Sequence, residues 1–279
     1  MAPDRRLGTR RWGDGDPRVV CWPGLTISAH AHFEEAGPRW AEAAGGAVVA
    51  VEPPGWLDEP LPDDDYTLDR LAGHALGLLD DLGLDAAAWV GWSWGASLGC
   101  HAAARAPERI RALVLLDAGF TDLQDDPAFE PRAIDELVAL LDQQDFRFPD
   151  WEPYLEVMRS RTRGWRPELE ERARAGMREQ DGELVPVVAR RTMAAAFHGV
   201  EAAPPSSTLA ALGGADLPVL VVAASGTVAQ DWAQTALERF REAVPRAEVE
   251  TVDAGHDVIA DAPDETIELV GRWLASRLD

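Results

Sequence analysis

Gly91-Trp92-Ser93-Trp94-Gly95 sets a serine midway between two glycines. In AAAWVGWSWGASLG a short, buried-strand pattern precedes Ser93 and a small-residue helical pattern follows it. The chain must therefore turn sharply at the serine and lift its hydroxyl to a helix N-terminus. A hydroxyl presented in this way attacks a carbonyl carbon once a base takes its proton. Of the six histidines, only His256 lies in a Gly-His loop, within VETVDAGHDVIADAPDETIELVGRWL, between a strand pattern and Pro263 with its amphipathic helix. An imidazole on such a loop reaches back over a sheet to Ser93 and serves as general base. Near the start, VVCWPGLTIS puts Pro23-Gly24-Leu25 directly after a strand. A backbone N–H of Gly24 or Leu25, together with that of Trp94, forms an oxyanion hole. The sequence leaves open which of Gly24 and Leu25 donates.

An imidazole base needs a carboxylate to fix its tautomer. Asp117 ends the strand pattern ALVLLD, one strand beyond Ser93, and Asp231 lies in TVAQDWAQ where a helix begins. Asp253 and Asp257 flank His256 but are badly placed to face its ring from their own backbone. Asp117 is the preferred acid and Asp231 the alternative.

These loops need a sheet to hold them. Short apolar runs, RVVCW, AVVAVE, AAAWVG, ALVLLD, VLVVAA and EVETVD, alternate with helical patterns such as TLDRLAGHALGLLDDLG. That alternation predicts an α/β fold with a doubly wound, mostly parallel sheet. Before Arg18 there is room for one edge strand. The roughly hundred residues between ALVLLD and VLVVAA exceed an ordinary crossover, and AIDELVALLDQQ, PELEERARAGMREQ and VPVVARRTMAAAF read as helices. Residues 120–208 are therefore expected to form a helical cap, dividing the core into 1–119 and 209–279.

With these motifs in order, the chain resembles the α/β-hydrolases over nearly its whole length. AVVAVEPPGWLDEP resembles the family's strand followed by an acidic residue and a glycine turn, and APERIRALVLLDAG its helix end and next strand. The family often has His-Gly where this chain has Pro23-Gly24. Most members hold the acid in the loop that here reads LPVLVVAASGT, which offers no carboxylate. A narrower likeness is to zearalenone-type lactone hydrolases, carried by WPGL, the elbow Gly91 to Ser97, and VVAAS; there the acid follows the strand before the cap, but it is Glu rather than Asp117. That resemblance implies a serine hydrolase of a lactone or a hydrophobic or aromatic ester, with no cofactor. Epoxide hydrolases and dehalogenases of the fold use an aspartate nucleophile, which Ser93 does not provide. A proline-iminopeptidase-like peptidase, a biosynthetic thioesterase or cyclase, and a non-catalytic ligand-binding member are the rivals.

The net charge of −23 repels nucleic acid and anionic membrane surfaces, so the expected partner is a small hydrophobic ester or lactone. A homodimer is left open. The sequence contains no lysine or asparagine, as a GC-rich coding bias produces. No apolar run is long enough to span a membrane, the N-terminus lacks a signal pattern, and Cys21 and Cys100 read as buried hydrophobes; the chain is expected to be cytoplasmic. Trp22, His30, Trp151 and Trp165 are candidate substrate-binding residues. His30-Ala31-His32 lacks a third ligand at suitable spacing, so no metal is expected. The arginines Arg159, Arg161, Arg163 and Arg166 are expected to pair with surface acids, with one free to meet a substrate carboxylate.

Overall fold

Each apolar run predicted as a strand is one in the computed structural model, which describes residues 8–25, 27–56, 59–144 and 146–278. These are β2 (Pro17–Trp22), β3 (Ala47–Val51), β4 (Ala87–Trp92), β5 (Ile110–Leu116), β8 (Val219–Ala224) and β9 (Glu248–Val252). The edge strand β1 (Thr9–Trp12) precedes them, and β6 (Met177–Gln180) pairs with β7 (Glu183–Pro186) outside the main sheet. The seven-stranded sheet has the order β1-β3-β2-β4-β5-β8-β9, parallel throughout except for antiparallel β1.

Strand periodicity then divides the core in two. Val20, Trp22, Trp89, Leu113, Leu115 and Val221 face one cluster, while Val19, Cys21, Val90, Val114, Leu116 and Val222 face the other. Helices α1 (Ala29–Phe33) and α2 (Ala36–Ala44) cover the second face with α12 (Val258–Asp261) and α13 (Pro263–Leu278). The first face is covered by α3 (Leu68–Asp81), α4 (Trp94–Arg105), α9 (Leu209–Gly214) and α11 (Asp231–Ala243). Burying both faces is what lets β3, β4 and β8 be wholly apolar. Cys21 and Cys100 are buried and unbridged, and burial raises both thiols. No helix of the described residues is long and apolar enough to cross a membrane.

The segment between β5 and β8 carries α5 (Ile134–Gln143), α6 (Trp151–Arg161), α7 (Pro167–Ala175) and α8 (Arg190–Ala202). It also corrects the sequence reading. Met177–Gln180, expected as the tail of a helix, is strand β6, and the helix expected from Val185 begins only at Arg190. The reason is the turn between them, where Asp181 and Gly182 both have positive φ (54° and 84°). An Asp-Gly pair in that conformation closes a tight antiparallel hairpin.

Candidate active site

Strand β4 ends at Trp92, and Ser93 follows with φ 53° and ψ −117° before α4 begins at Trp94. That conformation is strained for a residue with a Cβ, and the neighbouring glycines make it attainable. A Cβ on Gly91 would lie 2.1 Å from the Gly95 carbonyl oxygen, and one on Gly95 would lie 2.1 Å from the Trp22 carbonyl oxygen. The Ser93 amide donates to the Leu116 carbonyl (3.1 Å), tying the turn to the end of β5.

The next residue, Asp117, also has positive φ (49°). With Ser93 and Asp181 it makes up the non-glycine positive-φ set of the described residues. Its amide donates to the Val222 carbonyl at 2.9 Å. The side chain is buried and accepts three hydrogen bonds. Oδ1 receives the Ala224 amide (2.8 Å), and Oδ2 receives the Thr227 hydroxyl (2.6 Å) and faces His256 Nδ1 at 2.8 Å. The opposite ring nitrogen, His256 Nε2, stands 2.8 Å from Ser93 Oγ. The structure thus brings Ser93, His256 and Asp117 into one hydrogen-bonded line. The loop after β8, which carries no acid, supplies the donors that hold an acid from β5. Asp231 is instead the exposed first residue of α11; its carboxylate is spent on a helix N-terminus, where a negative charge is favoured.

Gly24 and Leu25 lie against the elbow. A Cβ on Gly24 would come within 2.6 Å of the Trp92 ring and 3.3 Å of Ser93 Cβ. Leu25 and Trp94 share with Ser93, Asp117 and His256 a cavity of about 720 Å³, whose far wall is apolar and includes Phe129, Leu137, Leu140, Phe197 and Val200.

None of the four candidate substrate-binding residues lines the cavity that holds Ser93. Trp22 is fully buried and stacks on Trp89, with ring centroids 5.7 Å apart. It shares its strand face with Val20, beneath α4, so strand parity makes it scaffold for the elbow. His30 places Nδ1 2.8 Å from Glu52 Oε1 and 2.7 Å from Ser28 Oγ. Glu52 also accepts the Ala29 and His30 amides, so this group closes the start of α1. Trp151 packs beside Tyr154 and under the Arg174 guanidinium, 4.6 Å from its centroid. Trp165 does line a cavity that includes His256. Among the arginines, Arg159 pairs with Glu152, Arg163 approaches Asp253 and Arg166 pairs with Glu35; the Arg161 side chain lies outside the described residues. Among those residues no group of three or more His, Cys, Asp or Glu is arranged to hold a metal ion.

Sequence reasoning missed the group behind His256. Trp92 Nε1 donates to the His256 carbonyl at 2.8 Å, and the Trp92 ring stacks on buried His32 at 4.4 Å. Arg172, from α7, reaches in to contact His32 and Asp257. Burial first, and then the Arg172 charge, hold the His32 imidazole well below its ordinary range. Burial, the largest single influence, would push Asp257 up, but the Arg172 charge and hydrogen bond, His32 and the Ala260 amide together hold the carboxyl below the usual range. A basic residue in the predicted helix PELEERARAG was visible; that one of its arginines is buried was not.

Buried His101 is also held low, chiefly by desolvation. Neither His32 nor His101 gains a proton in the fold when an unfolded chain would, at about pH 6.5. The unfolded state then binds more protons, so stability falls as pH drops through that value. The melting temperature is expected to decline between about pH 7 and about pH 5, and to decline less steeply in His101→Gln. Identical profiles for the two proteins would contradict a neutral, buried His101.

Comparison with known proteins matches residues 17–263 to the alpha/beta hydrolase fold family. The 2-(acetamidomethylene)succinate hydrolase of Mesorhizobium japonicum is 27% identical over 274 residues, covering 96% of this chain and 91% of the relative. Epoxide hydrolase A of Mycobacterium tuberculosis is 32% identical over 103 residues, 34% of this chain and 32% of the relative. Several curated relatives are matched only in part, over 21% to 41% of their own length. The crystal structure of E-2-(acetamidomethylene)succinate hydrolase superposes with a TM-score of 0.75 at 24% identity, covering 95% of this chain and 93% of that one. That likeness is one of fold.

Proposed function

The chain belongs to the alpha/beta hydrolase fold family, and from that premise we propose that it is a serine hydrolase of uncharged carboxylic esters or lactones. The observation that carries the reading is the line Ser93 Oγ, His256 Nε2, His256 Nδ1, Asp117 Oδ2, with 2.8 Å at each hydrogen bond. His256 takes the Ser93 proton as Oγ attacks the carbonyl carbon. Asp117 holds the proton on Nδ1, which leaves Nε2 free as acceptor, and stabilises the imidazolium that forms. The oxyanion rests on the backbone N–H groups of Trp94 and of the Gly24–Leu25 turn. The imidazolium proton passes to the leaving oxygen, and the acyl group stays on Ser93 until His256 activates a water.

Residues 120–208 act as a cap over the strand ends, since Phe129, Leu137, Leu140, Phe197 and Val200 all come from that segment and wall the Ser93 cavity. The cavity also carries Asp122, Asp126 and Glu130 against a single cation, Arg132, which pairs with Glu130. This charge disfavours a carboxylate-bearing acyl group. It separates the chain from the relative whose name specifies an acetamidomethylene succinate.

The test is a panel of para-nitrophenyl butyrate, an uncharged aliphatic lactone, a succinate monoester and styrene oxide. Turnover of the first two, with little of the third and none of the epoxide, is the expected result. Epoxide opening without ester hydrolysis would contradict the proposal.

A further inference from the structure

His256 is the one residue that lines both of two cavities. The first, described above, also holds Ser93 and the candidate oxyanion residues Leu25 and Trp94. A second, of about 500 Å³, also reaches His256 and is lined by residues 255–257 and 260–261 and by helices α6 and α7. Its walls include Trp92, Tyr154, Met158, Trp165 and Leu169. Its buried polar groups are already engaged, while Thr162 and the exposed Arg163 stand at its rim. Arg172 contacts Asp257 and His32, and the Tyr154 hydroxyl donates to the Ala173 carbonyl at 2.9 Å. Trp92, Tyr154 and Trp165 give it flat aromatic surface beside His256.

We infer that an ester substrate is divided between these cavities, with an uncharged apolar acyl group beside Ser93 and an aromatic leaving alcohol against Trp165 and Tyr154. The inference rests on the serine-hydrolase reading and names the substrate class of that site. The carbonyl oxygen must point at the donors beside Ser93, and the leaving oxygen must reach His256 Nε2 to take the proton. The two substituents of the carbonyl carbon diverge, so the group on the leaving oxygen passes the imidazole into the second cavity. In the first step the bond from Ser93 Oγ to the acyl carbon forms, the bond from that carbon to the aryl oxygen breaks, and the imidazolium proton goes to that oxygen. In the second step water gives a proton to His256 and its hydroxide to the acyl carbon. That carbon's bond to Ser93 Oγ breaks, the proton returns to Oγ, and the acid leaves. Leu140, the one exposed large apolar side chain of the described residues, stands at the first cavity. It offers an apolar rim where the acyl chain enters.

The experiment compares naphthyl butyrate with methyl butyrate in the wild type, Trp165→Ala and Phe197→Ala. Both esters give the same butyryl-enzyme, so they differ only in the leaving group. Trp165→Ala is expected to lower the naphthyl-to-methyl ratio of kcat/KM about tenfold, with the loss read in acylation rather than in hydrolysis of the butyryl-enzyme. Phe197→Ala is expected to lower kcat/KM for both esters together and to keep the wild-type ratio. A ratio unmoved by Trp165→Ala, or moved by Phe197→Ala instead, would overturn the assignment of the cavities. Absence of Ser93-dependent turnover of either ester in the wild type would overturn the serine-hydrolase reading itself. Trp165 is partly exposed, so matched melting curves are expected for its variant.

Discussion

Asp117→Asn is expected to lower kcat/KM for an aryl ester by about ten-thousand-fold. The asparagine amide would face His256 Nδ1 with a donor or with its oxygen, but not with both oxygens of a carboxylate. Where the NH2 group faces the ring, it leaves Nδ1 as acceptor and puts the proton on Nε2, which then cannot take the Ser93 proton. Where the oxygen faces the ring, the NH2 group is turned against the Ala224 amide, a donor meeting a donor at 2.8 Å in the present geometry. The second arrangement costs about 1–3 kcal/mol of stability. The backbone is not the confounding factor, because asparagine tolerates the positive φ of 49° at this position. Asp231→Asn, on the exposed first turn of α11, is the matched control, with activity within about twofold of wild type. Parallel melting curves separate lost chemistry from lost folding. An inactive Asp231→Asn beside a working Asp117→Asn would reverse the assignment.

Ser93→Ala removes the proposed nucleophile and is expected to lower kcat on the order of a million-fold, with residual catalysis from the proposed oxyanion donors. Its stability tells a second story. Ser93 Oγ is hydrogen-bonded to His256 Nε2, a contact on the exposed side of the site that contributes about 1 kcal/mol or less. Its backbone at φ 53°, ψ −117° is costly for any residue with a Cβ. Ser93→Gly relieves that strain and is expected to melt at or above the wild type while being as inactive as Ser93→Ala. A Ser93→Gly variant that melts well below Ser93→Ala would show that the elbow is not strained.

What was legible in the sequence was local. Strands β2, β3, β4, β5 and β8 are short apolar runs with helical patterns between them, and the serine elbow and the Gly-His loop are contiguous motifs with fixed spacing. The preference for Asp117 came from an empty loop, and the structure shows why that loop lacks an acid. Ala224 and Thr227 donate to a carboxylate that arrives from the end of the neighbouring strand β5, 107 and 110 positions earlier in the chain. The hairpin β6–β7 was missed because MREQ has helix-forming side chains and an exposed, aperiodic pattern. The Asp181-Gly182 pair was its only local signal. Trp22 lies beside a motif in the sequence, but proximity to a motif says nothing about which sheet face is buried. The contacts of Arg172 with His32 and Asp257 join residues 140 and 85 positions apart, and no spacing rule reaches that far. The signal that survives is indirect: a histidine directly before Phe33 and an acid directly after His256.

The measurement that bears most directly on the account is mass spectrometry of the protein quenched during turnover of a slowly deacylated aryl ester. The account predicts an added acyl mass on the peptide that contains Ser93, present in the wild type, lost in Ser93→Ala and formed far more slowly in Asp117→Asn. Turnover without an adduct, or an adduct on a carboxylate or another residue, would contradict it.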